Sequence, residues 1–246
     1  MMRRWFLKTF AGGLGLWASS KPELGEATII REAERDELNN FKLVSLDEEE
    51  LAKRQISALD VGEVVIHSGR IRACDPLSYP DFPQLERQVP RGQYAVRLYK
   101  AFGRVAVATL RIAEGTPTVW ESAKHEGRGE YRNMPVIGYP VDAGMGSYAD
   151  SDAFAQMTRR IAAVASTAGD TSVNYYDDVV ASELKDDDWV LHRPMADNAL
   201  NVAMFSSGWG DGYYSVYWGL SDTGSPLVLL TDFVVLENAD GRKEPD

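Results

Sequence analysis

The chain has 246 residues, of which 44% are hydrophobic and 26% charged, so it is long and apolar enough to fold around a core of its own. This composition excludes a collagen, a coiled coil, a polytopic membrane protein and a mostly disordered chain. The net charge of −11 argues against nucleic acid as a partner, since binding a polyphosphate requires a basic surface. A single cysteine, Cys74, excludes an intramolecular disulfide framework and an all-cysteine zinc site.

The first twenty residues have the pattern of an export signal. Two arginines, one variable residue and Phe-Leu-Lys form a twin-arginine-like motif, and an apolar run of about ten residues follows, where spanning a bilayer takes about 20. The motif residues are Arg3, Arg4, Phe6, Leu7 and Lys8. We therefore predict a signal peptide over 1–20 that is read by the twin-arginine translocase. The protein is then periplasmic or secreted, without a stable membrane anchor.

Two alternatives to an export signal stay open. Residues 1–20 also suit an amphipathic N-terminal helix of a cytoplasmic protein, or they reflect a mis-assigned start codon. The pattern departs from the usual motif because Met2 stands where Ser or Thr is common.

Residues 21–60 are polar and helix-prone and are predicted to form a helical N-terminal arm that packs on the rest of the chain. Ser45 or Asp47 is expected to cap a helix over Glu48–Leu59, since acidic residues fill its first turn.

From Val61 onward the hydrophobic period is two, which predicts strands. The first two strands flank a His-Ser-Gly turn as a hairpin, and the next two flank Ala-Phe-Gly as a second hairpin. The predicted strands are Glu63–Ile66, Arg70–Cys74, Gln93–Tyr99, Arg104–Ile112, Thr118–Ala123, Val136–Tyr139, Leu200–Ser206, Tyr213–Leu220 and Leu227–Leu236. The last of these is nearly continuous in apolar residues, which is typical of a central strand buried on both faces.

One clear helix is predicted after residue 150, capped by Ser151 or Asp152 and ended by Gly169, and a shorter one over Tyr175–Leu184. We expect a single α+β domain over 61–236, mainly antiparallel sheet in a sandwich or open barrel-like form with one substantial helix packed on it. A polar tail at 237–246 completes the chain.

The densest group of candidate ligand-binding residues follows the strand that ends at Ser206. Gly208, Trp209 and Asp211 lie in one glycine-rich turn, and Trp218 follows in the next strand. Such a turn suits a binding loop for a small polar ligand, a sugar or a peptide. The alternative, which we favour, is a hairpin turn with Asp-Gly at its corner and aromatic residues packed in the core.

A second group precedes the clear helix and contains Asp142 and Gly144. A glycine-rich turn that leads into a helix can hold an anion on backbone N–H groups. It lacks the dinucleotide, P-loop and calcium-loop patterns, however, so a tight turn is the favoured interpretation.

Cys74 and Asp75 follow the first predicted hairpin, and Asp75 is a further candidate ligand-binding residue. Cys74 is a candidate reactive thiol, but a thiolate needs a base and solvent access, and the histidines at His67, His125 and His192 show no matching pattern. A buried structural cysteine is the favoured interpretation. Three scattered histidines predict no metal site, no cofactor is indicated, and no catalytic residue is identified.

Several segments resemble a bacterial family described only as domain of unknown function 4241. The matching pieces are Val61–Ile66, Ser68–Ile71, Ala73–Leu77, Val89–Tyr94, Val141–Gly144, Met204–Gly212, Tyr217–Leu220 and Thr231–Phe233. The resemblance implies a domain from about Val61 to Leu236, with the turns near Cys74, Asp142 and Gly208 as its recurring non-core pieces. It implies no activity.

Three functions are compatible with these observations. The first is a non-catalytic binding protein of the cell envelope, of which an immunity-type protein that neutralises a basic toxin is a specific version. The second is a hydrolase or transferase that uses clustered aspartates or Cys74. The third is a scaffold whose motifs are purely structural.

Overall fold

The structure is a computed structural model that describes residues 29–31, 40–127, 137–167 and 174–236. The predicted signal peptide over 1–20 and the polar tail over 237–246 lie outside the described residues, as does Gly169, the predicted end of the long helix.

Two antiparallel sheets contain the twelve strands of the described part of the chain. The strands are β1 (Ile29–Arg31), β2 (Ile56–Ile66), β3 (Ile71–Ala73), β4 (Gly92–Ala101), β5 (Arg104–Arg111), β6 (Val119–Ser122), β7 (Tyr139–Val141), β8 (Met145–Asp150), β9 (Trp189–His192), β10 (Val202–Ser206), β11 (Gly212–Leu220) and β12 (Pro226–Asp232). The large sheet has the order β1-β6-β11-β12-β5-β4-β2, with β7 also paired to β11. The small sheet has the order β3-β8-β10-β9.

Helices are few in the described residues. They are a 3₁₀ helix (Asn40–Ser45), α1 (Glu48–Lys53), α2 (Ser151–Thr167) and a π-helix (Tyr176–Val180). The long helix α2 lies against β3 and β8 of the small sheet, where Phe154 and Met157 are buried. The predicted α+β class, mainly antiparallel sheet with one substantial helix, is therefore confirmed.

The two sheets pack on each other through aromatic side chains. Tyr148 of β8 donates its hydroxyl to the carbonyl of Ala108 (2.9 Å) and contacts the hydroxyl of Thr231 (2.7 Å), both in the large sheet. Phe205 of β10 lies edge-on to Tyr148 and to Phe233, with ring centroids 5.1 and 6.1 Å away. These contacts make the arrangement a sandwich, the first of the two predicted forms.

Two predictions from periodicity are confirmed. Strands β4 and β5 pair as a hairpin, with Tyr94, Val96 and Leu98 on the buried face as their alternation predicts. The apolar strand β12 lies between β11 and β5, and six of its seven residues are buried.

The first predicted hairpin is wrong. Strand β2 pairs with β4 in the large sheet, whereas β3 pairs with β8 in the small sheet, so the turn between them crosses from one sheet to the other. Asp150 holds this crossing, because one carboxylate oxygen accepts the backbone N–H (2.7 Å) and hydroxyl (2.9 Å) of Ser68. Its other oxygen accepts the N–H of Asp152 at 2.8 Å, so Asp150 takes the capping role predicted for Ser151 or Asp152.

The helix predicted over Glu48–Leu59 is shorter than expected. Asp47 caps it as predicted, accepting the N–H of Glu50 at 2.8 Å, but the helix ends at Lys53 and strand β2 begins at Ile56. Residues 56–59 form a strand because they pair with β4, and helix propensity alone does not predict this pairing. The preceding 3₁₀ helix packs on the large sheet, where Phe41 stacks on Trp120 with ring centroids 4.6 Å apart.

Strands β8 and β9 are missing from the sequence prediction. The sequence predicts a tight turn around Asp142 and Gly144 and no strand near His192, yet β8 pairs with β10 and β3, and β9 pairs with β10. The shorter helix predicted over Tyr175–Leu184 is a π-helix of five residues. Among the described helices, none has both the length and the apolar character needed to cross a membrane.

Candidate functional site

Asp75 joins two turns that are far apart in the sequence. One carboxylate oxygen accepts the backbone N–H groups of Leu77 (2.9 Å) and Ser78 (3.0 Å), which lie in its own turn after β3. The other accepts those of Asp142 (2.9 Å) and Ala143 (2.7 Å), in the turn between β7 and β8. Asp75 is fully buried, so these four hydrogen bonds replace the water that an ionised carboxylate requires.

The turn between β7 and β8 also contacts the glycine-rich turn between β10 and β11. The N–H of Ser207 donates to the carbonyl of Gly144 at 3.0 Å, and the backbone N–H of Gly144 donates to the carboxylate of Asp211. Gly144 has φ +68°, a conformation that favours glycine. The two turns predicted as candidate sites therefore lie side by side, with Asp75 beneath one of them.

Two carboxylates, Asp142 and Asp75, act on the carboxyl group of Asp211 at this junction. Burial raises the pKa of Asp211 above its ordinary value, the nearby charges of Asp142 and then Asp75 raise it further, and the hydrogen bond from Gly144 opposes them. Asp142 and Asp211 are both exposed, whereas Asp75 lies below the surface. The side chains of Asp142 and Asp211 therefore face solvent, and that of Asp75 lies beneath them.

Tyr79 belongs to the same site, although it is not among the candidate residues selected from the sequence. Burial raises the pKa of its phenol, and the charges of Asp142, Asp75 and Asp211 raise it further, in that order. The backbone N–H of Tyr79 donates to the carbonyl of Asp75 at 3.1 Å, which fixes its place in the turn. We call the surface formed by Tyr79, Asp142 and Asp211 the acidic rim. The only sequence signal for Tyr79 is its position four residues after Asp75.

Gly208 and Trp209 hold the glycine-rich turn against the large sheet. Gly208 has φ +63°, and an added Cβ would lie 2.8 Å from atoms of both Phe233 and Val235, so only glycine fits there. Arg104 donates to the carbonyl of Gly208 at 3.0 Å and lies 4.3 Å from the ring centroid of Trp209. The indole is half-buried and is part of the structural support of the turn.

Trp218 is not brought to the acidic rim. It is buried in β11, six residues from Gly212 and hence about 20 Å along the strand. The guanidinium of Arg87 lies 5.8 Å from its ring, in a cavity of about 420 Å³ that Glu121 and Lys124 also line.

Cys74 lies in the core between the two sheets. It is fully buried, its Sγ atom is 4.0 Å from the hydroxyl of Ser147, and that hydroxyl donates to the carbonyl of Cys74 at 2.6 Å. Burial raises the pKa of the Cys74 thiol, which keeps it protonated at neutral pH. Across the described residues, no three His, Cys, Asp or Glu side chains form a group that could hold a metal ion.

We expect Asp75→Asn to lower the free energy of unfolding by about 3 kcal/mol, because the amide would turn an NH₂ group toward two backbone N–H donors. Urea unfolding followed by tryptophan fluorescence measures the change. The matched control is Asp222→Asn, an exposed residue in the turn at the opposite end of β11, for which we expect less than about 0.5 kcal/mol. An equal effect of the two substitutions would contradict the role of Asp75.

We expect the carboxyl of Asp211 to titrate above its ordinary pKa of 3.8, and Asp142→Asn to lower that pKa by removing a neighbouring charge. Carboxyl ¹³C chemical shifts recorded against pH report both values. Because the pKa is raised in the folded state, Asp211 lowers stability as pH rises above 3.8, and this loss is complete once pH exceeds the folded pKa. Identical Asp211 titrations in the wild type, in Asp142→Asn and in the control Asp222→Asn would refute the coupling.

Comparison with known proteins gives one match. The model of a family described as a protein of unknown function, DUF4241, matches residues 64–231, which is more than half of the chain and includes every residue of the acidic rim. No curated protein and no solved structure matches the chain. The resemblance seen in the sequence is thereby confirmed, and the chain belongs to the DUF4241 family.

Proposed function

We propose that this protein is a non-catalytic binding protein of the bacterial cell envelope, and that its acidic rim receives a cationic group of the ligand. The ligand is a protein with basic side chains or a small polar cation. A specific form of the first case is an immunity-type protein that neutralises a basic toxin.

The observation that carries this proposal is the convergence of Asp142, Asp211 and Tyr79 on one surface. The raised pKa of Asp211 reflects burial and its neighbours' charges, part of which a bound cation would offset. A cationic ligand would therefore interact more favourably here than at an isolated carboxylate.

The net charge of the whole chain supports the same kind of ligand. At −11 it attracts cationic molecules over long distances and speeds their association. Removing residues 1–20 takes away three basic residues and no acidic one, which makes the remainder more negative still.

Two of the residues selected from the sequence, Cys74 and Asp75, are poorly placed for catalysis, which favours a binding protein. The Cys74 thiol is buried and protonated, so it is a poor nucleophile. The Asp75 carboxylate is occupied by four backbone N–H groups.

A hydrolase or transferase remains the second candidate, for one specific reason. The raised pKa of Asp211 is what a general acid needs, and Asp142 places a second carboxyl group beside it. An enzyme would convert the bound molecule into a product, whereas a binding protein would leave it chemically unchanged.

Export to the envelope is the part of the proposal that rests on the sequence alone. Its support is the twin-arginine-like motif within residues 1–20, which carries three basic residues, no acid and an apolar run too short to span a bilayer. That pathway exports proteins that are already folded, which suits a chain whose one thiol is buried.

We expect the tagged protein to retain a cationic ligand from a cell-envelope extract, and Asp142→Asn/Asp211→Asn to retain at least ten-fold less of it. Mass spectrometry of the bound fraction identifies the ligand as a protein or as a small molecule. Incubating the recovered ligand with fresh protein then distinguishes the two candidates, since a binding protein returns it unchanged and an enzyme converts it.

The control for this experiment is Glu114→Gln/Asp222→Asn. It also removes two negative charges, but from exposed positions near the opposite end of β11. We expect its retention within two-fold of the wild type. Equal retention by both double variants, or retention of nothing, would overturn the proposed role of the acidic rim.

We expect residues 1–20 to export a fused reporter that must fold before it crosses the membrane, and Arg3→Lys/Arg4→Lys to abolish that export. Cell fractionation measures the exported share. The control is Trp5→Phe, at the variable position of the motif, which keeps all three charges and both arginines. Export that continues without the arginine pair would refute a twin-arginine signal.

A further inference from the structure

A second candidate site lies on the outer side of the small sheet and shares no residue with the acidic rim. It is a cavity of about 410 Å³, within the usual size range for small-molecule sites. Its walls come from α2, from the π-helix and its flanking residues, and from the segment that follows β9. The lining residues used below are Arg160, Tyr175, Val179, Glu183, His192, Arg193, Met195 and Asp197.

The floor of this cavity is a hydrogen-bonded chain of three side chains. His192 is 2% exposed, its Nδ1 atom lies 2.8 Å from the carboxylate of Glu183, and its Nε2 atom lies 2.8 Å from the hydroxyl of Tyr175. Because a carboxylate only accepts, Nδ1 carries a proton, and in the neutral imidazole Nε2 accepts the Tyr175 hydroxyl. The chain fixes both rings in place, as a preformed binding site requires.

The π-helix aligns the residues that line one wall. Its widened turn is shown by the hydrogen bond from the N–H of Ala181 to the carbonyl of Tyr176, at 2.8 Å and five residues back. Tyr175, Val179 and Glu183 are spaced four residues apart, and all three face the cavity. Such helices occur often at functional sites, where they reposition side chains.

Two arginines in the lining offer guanidinium donors to an anion. Among the described residues, neither Arg160 nor Arg193 forms an ion pair with a carboxylate. Of the two acids that line the cavity, Glu183 is oriented toward His192 by their hydrogen bond, and both Glu183 and Asp197 would repel an anion with more charge than the arginines offset. The lining therefore suits a single carboxylate better than a polyanion.

The remaining lining is apolar. Val179 is half-buried, and Met195 is one of two large hydrophobic side chains that are exposed among the described residues, at 38%. An exposed methionine at the mouth of a cavity can pack against the hydrocarbon part of a ligand.

We propose that this cavity binds a small organic monocarboxylate, with its carboxylate on Arg160 and Arg193 and its apolar body against Val179 and Met195. The hydrogen bonds of His192 with Glu183 and Tyr175 hold the side chains that form the floor of the site.

The experiment titrates the full-length protein, labelled with ¹³C in its methionine methyl groups, with benzoate, benzamide and citrate. Met195→Leu identifies the Met195 resonance. We expect benzoate to shift this resonance in a saturable way, and benzamide and citrate each to bind at least ten-fold more weakly. Benzamide tests the need for the negative charge, and citrate tests the preference for a single carboxylate.

Arg160→Gln/Arg193→Gln should weaken benzoate binding at least ten-fold, and both positions are exposed, so the fold should persist. Arg91→Gln/Arg159→Gln removes two exposed arginines outside the cavity and should stay within two-fold of the wild type. The proposal is overturned if benzoate leaves the Met195 resonance unmoved, if benzamide or citrate binds as well as benzoate, or if both double variants bind it equally.

Discussion

Four backbone N–H groups converge on the carboxylate of Asp75, and the arrangement of the acidic rim depends on them. They tie the turn after β3 to the turn between β7 and β8. Without such a link the two turns would be separate loops, and Tyr79 would have no fixed relation to Asp142. A buried charge becomes tolerable when several donors surround it, and it then fixes the position of each donor.

The small sheet connects the two candidate sites. Its strand β8 begins directly after the turn that carries Asp142, and its strand β9 ends at His192, on the floor of the second cavity. The sheet is anchored to the large one through Tyr148 and Phe205. Both candidate sites therefore stand on a rigid, well-packed layer, which is the usual way in which proteins support binding residues.

Burial separates the titratable groups of this protein into two kinds. Cys74 and Tyr148 are fully buried, and their pKa values are raised chiefly because the core disfavours charge. Asp211 and Tyr79 have raised pKa values as well, but neighbouring carboxylates add to the effect of burial and both groups reach the surface. Of these two kinds, only the surface groups Asp211 and Tyr79 can contact a ligand, and a cationic ligand would offset the repulsion from the neighbouring carboxylates.

The sequence by itself determined the features that depend on neighbouring residues. The alternation in β4 and β5 and the apolar run of β12 both follow from local patterns. Only the tertiary structure decided that β2 and β3 belong to different sheets and that His192 ends a strand. It also decided that Tyr79 joins the acidic rim. Strand partners and charge clusters are formed by residues far apart in the chain, and local periodicity carries no information about such contacts.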